Sequence, residues 1–519
     1  MTSKQNRRTF LKASAVAGAA LGLPASSYAK VRGANGMQNV AFIGVGGRCG
    51  MHMDVVLAMQ KEGKGIVPFA VCDVWDGNAE KGKGKGQGLY PAAKRCNIPI
   101  DDKARVTKDY RDILKNKDVD VVCIATPDHW HARMTIDAFN EKKDVYCEKP
   151  MTRTIAEAQA VVDAWKASGR VMSVGVQSMA DPVWGKARDL IRKGGIGHVM
   201  HAQTRYFRNS DIGMWRNYYL TPDMNPKTIN WDMFLGHQFD VNGVKLGPEP
   251  KEMPFDRAVF AQWRCYWPFG SGMFTDLFVH QMTHLIESMG VRYPRRVVGA
   301  GGLYVEYDGR DVPDVATVVA DYDEGCQLLI TSTMCNNYPI DECIRGKTAT
   351  INFLPLSGDR MKGFEVIAQN ATRPGGPGDF DRGKVDVVES GFQGPDVFKD
   401  DNPNGQLTYR LWENFLERVK ARKQDTMSTP ELGAAAFTTV NMAVQSYRQG
   451  KVLFWDKEQR KTTDADASWA TNWEKRSKER GKPNQILGWE AGETGSTLKS
   501  PPDAKLAGPW VDGKDPAGA

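Results

Sequence analysis

The sequence lacks several features that would define other classes of protein. Beyond its first thirty positions it has no unbroken apolar run of about 18 residues, the length that a membrane-spanning helix needs. It has no internal repeat and no CxxC pair. Its net charge of +7 includes four basic residues and no acid within positions 1–29, which leaves +3 for the remainder. These absences argue against a membrane protein, a repeat array and a nucleic-acid partner.

The cysteines do not form a disulfide framework. There are nine, an odd number, and several lie inside apolar runs, such as Cys72, Cys123 and Cys147. A thiol in such a position behaves as a small hydrophobic group. The pattern is typical of a chain that folds in a reducing compartment.

The N-terminus predicts export. Arg7 and Arg8 precede a short run rich in Ala and Gly, and Ser27-Tyr28-Ala29 provides a small-x-small cleavage site. We expect residues 1–29 to be a twin-arginine signal peptide that carries the folded protein to the periplasm or beyond the cell. An uncleaved surface helix is the alternative. The absence of a cysteine at the cleavage site argues against a membrane anchor.

The rest of the chain predicts two α/β domains and a tail. From 37 to 178, short apolar runs alternate with amphipathic segments, which indicates a doubly wound parallel sheet of the Rossmann type. From 179 to 462 the runs alternate apolar and polar residues, which indicates an open, mostly antiparallel sheet. Residues 463–519 form a polar C-terminal tail rich in Pro and Gly.

A glycine-rich turn lies between the first strand and the first helix of the Rossmann domain. It reads GVGGRCG over 44–50, and Asp73 ends the second strand. Glycines at such a turn let a pyrophosphate approach the helix N-terminus, and the acid hydrogen-bonds a ribose. We expect NAD as cofactor. Lys81, Lys83 and Lys85 favour NADP instead, and a turn that binds nothing is the structural alternative.

Further polar residues follow the later strands of the same sheet. Thr126, Pro127, His129 and His131 follow one strand, and Lys149 follows the next. Because ligands bind at the carboxyl ends of parallel strands, these residues are predicted to border the cofactor cleft. Either histidine could equally be a helix-start residue without a role.

A second candidate site follows Gly270-Ser271-Gly272. Asp276, His280 and His284 recur every four residues and are predicted to share one helix face. Three interpretations compete: an exposed Asp–His pair, a metal site, and a proton-transfer pair in which Asp276 orients His280. Gln281 occupies the position where a zinc protease has its general base, so we predict no metal.

Three motifs occur in the order that is typical of the Gfo/Idh/MocA oxidoreductases: the glycine turn, the Glu-Lys-Pro at 148–150 and the Gly-x-Gly…Asp-x-x-x-His segment. The chain resembles this family over about residues 37–460. The resemblance implies a homo-oligomer that transfers a hydride between NAD(P) and a secondary hydroxyl of a sugar, glycoside or cyclitol. By position, Lys149, Asp276 and His280 match the family's catalytic residues. We expect His280 to be the base and Lys149 to polarise the reacting oxygen.

The resemblance also provides candidate binding residues and two alternative functions. The candidate cofactor-binding residues are Gly44, Gly46, Gly47, Arg48, Cys49, Asp73, Thr126, Pro127, His131 and Glu148. The candidate substrate contacts are Gln177, Tyr206, Trp263, Arg264 and His284. Cys49 replaces the usual third glycine, and the segment at Gln177 lacks the family's arginine. Redox-assisted cleavage of a glycoside, by a hydrolase or lyase, and sugar binding without catalysis are the alternatives, and the intact Asp-x-x-x-His pair argues against both.

Overall fold

The computed structural model describes residues 37–78, 86–237, 250–369, 385–398, 402–464 and 468–479. The described residues up to Asp464, which carry both β-sheets, form one compact unit, and the helix Ser468–Glu479 belongs to another. We use first domain and second domain for the ranges predicted from the sequence, 37–178 and 179–462. The predicted signal peptide and the lysines at 81, 83 and 85 lie outside the described residues. In the described parts of the chain, no helix combines the length and the apolar character that crossing a membrane requires.

The first sheet confirms the predicted Rossmann topology. Its six strands are parallel and follow the order β3-β2-β1-β4-β5-β6. Apolar strands buried on both faces are what a parallel sheet between helix layers requires. The strands are β1 (Gln38–Ile43), β2 (Ile66–Cys72), β3 (Val106–Thr107), β4 (Val121–Ile124), β5 (Asp144–Glu148) and β6 (Met172–Gly175).

Five helices connect these strands: α1 (Gly47–Lys61), α2 (Leu89–Arg95), α3 (Tyr110–Lys115), α4 (Asp128–Asn140) and α5 (Ile155–Ser168). Helix α5 shows how local sequence sets the ends. Thr154 and Glu157 form a capping box at its start, and Gly169 ends it with φ +63°.

The second sheet has ten strands in the order β16-β15-β14-β13-β7-β11-β10-β9-β17-β18. It is mostly antiparallel, as predicted, with β7 parallel to β11. Its strands are β7 (Val199–Arg205), β9 (Arg296–Gly302), β10 (Val315–Tyr322), β11 (Cys326–Thr333), β13 (Cys343–Gly346), β14 (Ala349–Ser357), β15 (Arg360–Ala368), β16 (Val385–Glu389), β17 (Leu453–Asp456) and β18 (Lys461–Thr463). A small separate ribbon pairs β8 (Arg208–Asn209) with β12 (Cys335–Asn336).

The helices after the first domain are α6 (Val183–Arg192), α7 (Trp231–Leu235), α8 (Arg257–Ala261), α9 (Met273–Asp276), α10 (Phe278–Met289), α11 (Pro403–Ala421), α12 (Pro430–Gln449) and, in the second unit, α13 (Ser468–Glu479). Two 3-10 turns span Gln177–Ala180 and Trp263–Cys265.

Helix α11 lies late in the chain but packs on the first sheet. The Trp412 ring stacks on Tyr146 of β5 with centroids 4.5 Å apart, and its Nε1 donates to His52 Nδ1 at 3.0 Å. Both aromatic side chains are fully buried. The first sheet is therefore covered on one face by a helix that follows most of the second sheet in sequence.

Candidate active site

The glycine turn joins β1 to α1 at the carboxyl edge of the first sheet. Gly44 has φ +79°, and its N–H donates to the Cys72 carbonyl oxygen at 2.9 Å. A Cβ at this position would lie 2.7 Å from Thr126 Cα. Glycine is therefore required at 44, both by the backbone conformation and by the approach of the β4 end.

The turn leaves the start of α1 open to an anion. Gly46 is the N-cap, and no side chain in the described residues caps the helix there. A Cβ at Gly46 would meet no described atom within 4 Å. Uncapped amides at the start of a 15-residue helix, beside open space, fit the pyrophosphate of a dinucleotide.

Asp73 follows β2 and fixes the turn. Its Oδ2 accepts the Val45 N–H at 2.7 Å, and its Oδ1 accepts the Trp75 N–H at 2.9 Å. Burial raises the pKa of Asp73 to about 6, although both hydrogen bonds favour the charged form. Each carboxylate oxygen keeps a lone pair for a ribose hydroxyl, so Asp73 fits the predicted NAD contact.

A cavity of about 730 Å³ opens beside this turn. Nine of the predicted binding residues line it: Gly44, Gly46, Gly47, Arg48, Asp73, Thr126, Pro127, Trp263 and Arg264. The opposite wall consists mainly of residues that the sequence did not single out, among them Tyr218, Tyr219, Leu220, Phe234 and Phe260. A dinucleotide-sized cleft therefore runs between the first sheet and loops of the second domain.

Glu148 and Cys49 do not line this cavity. Cys49 is fully buried in the core of the first domain. Glu148 Oε1 accepts from Arg48 Nε at 2.8 Å and pairs with His52 Nε2 at 2.9 Å. Burial opposes the charge, but Arg48 and His52 outweigh it and hold the pKa of Glu148 well below its usual range. Glu148 thus fixes Arg48, which does reach the cavity.

His131 also differs from the prediction, because it lies behind the cavity wall. Its Nδ1 lies 2.6 Å from the Pro150 carbonyl oxygen, and its Nε2 lies 2.9 Å from the Thr126 carbonyl oxygen. Burial opposes the charge, yet Cys147 and the two carbonyls raise the pKa of His131. Both partners are acceptors, and the ring ties the end of β4 to the Lys149–Pro150 turn.

Lys149 points from the end of β5 towards the second domain. Its Nζ donates to Asp276 Oδ1 at 2.7 Å and to the Asp276 carbonyl oxygen at 2.8 Å. These two bonds fix the ammonium group at the boundary between the two sheets. The structure therefore brings together Lys149 and Asp276, as the family resemblance implied.

Asp276 receives two further donors. Arg264 Nε donates to Oδ1 at 2.9 Å, and Trp215 Nε1 donates to Oδ2 at 3.1 Å. Burial favours the neutral acid, but the charges of Arg264 and Lys149 outweigh it and hold the pKa of Asp276 well below its ordinary value. The carboxylate is ionised and fully engaged.

Two predictions about this segment were wrong. Asp276 and His280 do not share one helix, because α9 ends at Asp276, and Leu277, with φ −111°, separates it from α10. Among the described residues, the hydrogen-bond partners of the Asp276 side chain are Lys149, Arg264 and Trp215, and not His280. Asp276 therefore orients Lys149 instead of His280.

His280 is buried near Lys149. Burial, and then the charge of Lys149, lower the pKa of His280 to about 4. Its Nδ1 has no hydrogen-bond partner in the described chain, and its ring lies 6.1 Å from that of Tyr206. Tyr206 in turn accepts a hydrogen bond from Arg208 at 2.9 Å. One nitrogen of a neutral imidazole has a lone pair that can accept a proton, and because Nδ1 is sealed from solvent, Nε2 is the nitrogen that can meet a substrate.

His284 does not contribute to a binding site. Its Nε2 pairs with Glu342 at 2.7 Å, its Nδ1 lies 3.2 Å from Ser178 Oγ, and its ring stacks on Trp184. The predicted substrate contact is therefore wrong, because both nitrogens are used inside the core. The described residues also contain no group of three or more His, Cys, Asp or Glu side chains that could hold a metal.

Gln177, the remaining candidate substrate contact, follows β6. Its Nε2 donates to Asp359 Oδ2 at 2.8 Å, and its Oε1 is buried without a described partner. Asp359 belongs to the loop before β15, which the sequence did not connect with the first domain. Gln177 stays a proposed contact.

Trp215 is the functional residue that the sequence missed most clearly. It is almost fully buried and has φ +67°, which is costly for a tryptophan. This conformation presents the indole N–H to Asp276.

Asp128, at the start of α4, was also missed. It is buried, and burial raises its pKa to about 7, with Arg264 opposing. Neither residue carries a motif that would identify it.

We predict different effects on stability and NADH binding when the turn glycines Gly44 and Gly46 are replaced by alanine. Gly44→Ala places a Cβ against Thr126 in a left-handed backbone and should lower stability by about 2–4 kcal/mol. Gly46→Ala meets open space and should leave the melting temperature unchanged while weakening NADH binding. Thermal denaturation and NADH fluorescence titration of both variants test this. Equal melting temperatures for Gly44→Ala and the wild type would contradict the account of the turn.

The comparisons with known proteins agree with this geometry. Residues 38–176 match the model of the Gfo/Idh/MocA oxidoreductase family with an NAD-binding Rossmann fold, and residues 4–24 match the twin-arginine signal model. Inositol 2-dehydrogenase of Salmonella paratyphi B is 27% identical over 44% of this chain and 58% of its own length. Levoglucosan dehydrogenase of Pseudarthrobacter phenanthrenivorans is 36% identical over 20% of this chain and 26% of its own length.

A third relative has a different activity in its name: a glycosyl hydrolase family 109 protein of Solibacter usitatus is 28% identical over 46% of this chain and 58% of its own length. The matched part of the chain therefore spans at most 58% of the length of these three relatives. Among solved structures, levoglucosan dehydrogenase in complex with NADH and levoglucosan has a TM-score of 0.55 at 19% identity, covering 80% of this chain and 99% of the other. That likeness shows the fold. Residues 38–176 are an NAD-binding Rossmann domain of the Gfo/Idh/MocA oxidoreductase family, in a chain that carries a twin-arginine export signal.

Proposed function

We propose that this protein is an exported NAD-dependent oxidoreductase that transfers a hydride between nicotinamide and a secondary hydroxyl of a sugar, glycoside or cyclitol. The observation that carries the proposal is the placement of Lys149, at the end of a Rossmann strand, in an ion pair with Asp276 of the second domain. The names of two relatives, inositol 2-dehydrogenase and levoglucosan dehydrogenase, support this class of substrate.

The residues divide the proton chemistry between them. NAD, held by the glycine turn and Asp73, would supply the acceptor for the hydride. Asp276 orients Lys149 so that its Nζ donates a hydrogen bond to the reacting oxygen and stabilises its developing negative charge. His280 is neutral at physiological pH, because its pKa is lowered to about 4, and it accepts the hydroxyl proton.

Redox-assisted glycoside cleavage remains a second candidate, because a relative is named for a glycosyl hydrolase family. Such a reaction releases an aglycone without net formation of NADH. The two functions therefore give different products in one assay.

We expect the purified protein, supplied with NAD⁺, to form NADH when it is challenged with a panel of sugars, cyclitols and glycosides. Lys149→Ala should bind NADH normally and lose about 10²- to 10⁴-fold in turnover. Lys64→Ala, which changes an exposed lysine, is the matched control. Turnover of Lys149→Ala at the wild-type rate would overturn the proposal, and release of an aglycone without NADH would favour glycoside cleavage.

The pH dependence of kcat/KM provides a separate test of His280 as the base. A base with a pKa of about 4 is already unprotonated at neutral pH, so His280 should limit the rate only in acid, as the pH falls through about 4. Two acids of the site titrate at higher pH, Asp73 with a pKa of about 6 and Asp128 with a pKa of about 7. Asp128→Asn should abolish a change in kcat/KM near pH 7, and Asp73→Asn should abolish a change near pH 6. A change near pH 6.5 that persists when both acids are replaced would contradict the assignment.

A further inference from the structure

The guanidinium of Arg264 is held rigidly beside the catalytic pair. It lies over the Trp263 ring at 4.1 Å and faces the Tyr218 ring at 5.5 Å. Its Nε donates to Asp276 Oδ1 at 2.9 Å. These three contacts fix the plane of the group, and they use only one of its five N–H donors.

The two terminal nitrogens of Arg264 are left without a role in the protein. They make no hydrogen bond to any described residue, and they are not among the polar atoms sealed from solvent. Arg264 lines the cavity and its side chain is 21% exposed. A fixed guanidinium with free paired N–H groups matches a carboxylate or a phosphate, since both accept two parallel hydrogen bonds.

The charges around Asp276 favour an anion at this point. Two cations, Lys149 and Arg264, share this one carboxylate. His280 is neutral at physiological pH, and Asp128 is only partly ionised there because burial raises its pKa to about 7. Asp276 therefore balances one of the two cations, and Asp128 balances the other only in part, which favours a further anion at Arg264.

The position of the guanidinium also indicates which part of a bound ligand would carry the anionic group. Lys149 Nζ and Arg264 Nε bond to the same oxygen, Asp276 Oδ1, at 2.7 and 2.9 Å. A sugar hydroxyl at Lys149 thus has its ring neighbours within reach of Arg264. The dinucleotide phosphates are a second source of the same chemistry, but the helix start at Gly46 already provides their site.

We propose that Arg264 binds a carboxylate of the substrate, so that the enzyme acts on sugar acids, such as uronates, or on their glycosides. This inference rests on the proposed oxidoreductase function, and it deepens that function by naming the substrate class.

The test compares matched acidic and neutral sugars: D-glucuronate with D-glucose, and D-galacturonate with D-galactose. The wild type should prefer the acid of each pair in kcat/KM, and Arg264→Gln should reduce that preference by about 10- to 100-fold. Gln keeps a donor for Asp276. The affinity for NADH, measured by fluorescence, should change by less than about twofold.

Trp215→Phe is the matched control, because it removes a donor to Asp276 but keeps the guanidinium. It should lower kcat/KM equally for both sugars of a pair and leave the preference intact. A wild type without preference for the acids, or an unchanged preference in Arg264→Gln, would overturn the inference and leave the oxidoreductase function standing. A loss of NADH affinity instead would assign Arg264 to the dinucleotide. Failure of every sugar to yield NADH would overturn both proposals.

Discussion

The carboxylate of Asp276 joins three segments that lie far apart in the sequence. It accepts hydrogen bonds from Lys149 of the first domain and from Arg264 and Trp215 of the second. An ionised carboxylate buried without partners would be strongly destabilising, and here two cations and an indole provide those partners. The ends of β5 and α9 and the loop at Trp215 are therefore held in one arrangement, and the candidate site exists only in that arrangement.

The hydrogen bonds to Asp276 also explain how the two domains form one site. The first domain contributes the glycine turn and the strand ends, which suit a dinucleotide. The second contributes the acid that fixes Lys149, the imidazole of His280 and the far wall of the cavity. Within the first domain, His131 supports the Lys149–Pro150 turn from behind, because its ring binds the carbonyls of Thr126 and Pro150.

Much of the fold follows from local sequence. The apolar runs, their helical connections and the glycine turn predict the Rossmann topology, because each signal lies within one element or at its end. The packing of α11 on the first sheet could not be predicted, because an amphipathic helix does not indicate which sheet it covers. The break at Leu277 was also missed, since no glycine or proline marks it.

The site was predictable where a topological rule applied. The strand-end rule placed Thr126 and Lys149 at one edge, where the structure has them, but it also placed His131 in the cleft, whereas His131 lies behind the cavity wall. The rule says nothing about contacts across domains, and helical spacing suggested His280 as the partner of Asp276. Trp215 lies 61 positions from Asp276 and depends on an unusual φ, so neither periodicity nor a motif could identify it.

The central claim is that Asp276 acts through Lys149. A double-mutant cycle of Lys149→Met and Asp276→Asn, read in kcat/KM for a sugar that yields NADH, tests it most directly. We predict that Asp276→Asn causes a large loss in the wild type and a loss of less than about threefold in the Lys149→Met background. The same fold loss in both backgrounds would mean that Asp276 acts independently of Lys149, and it would contradict the account.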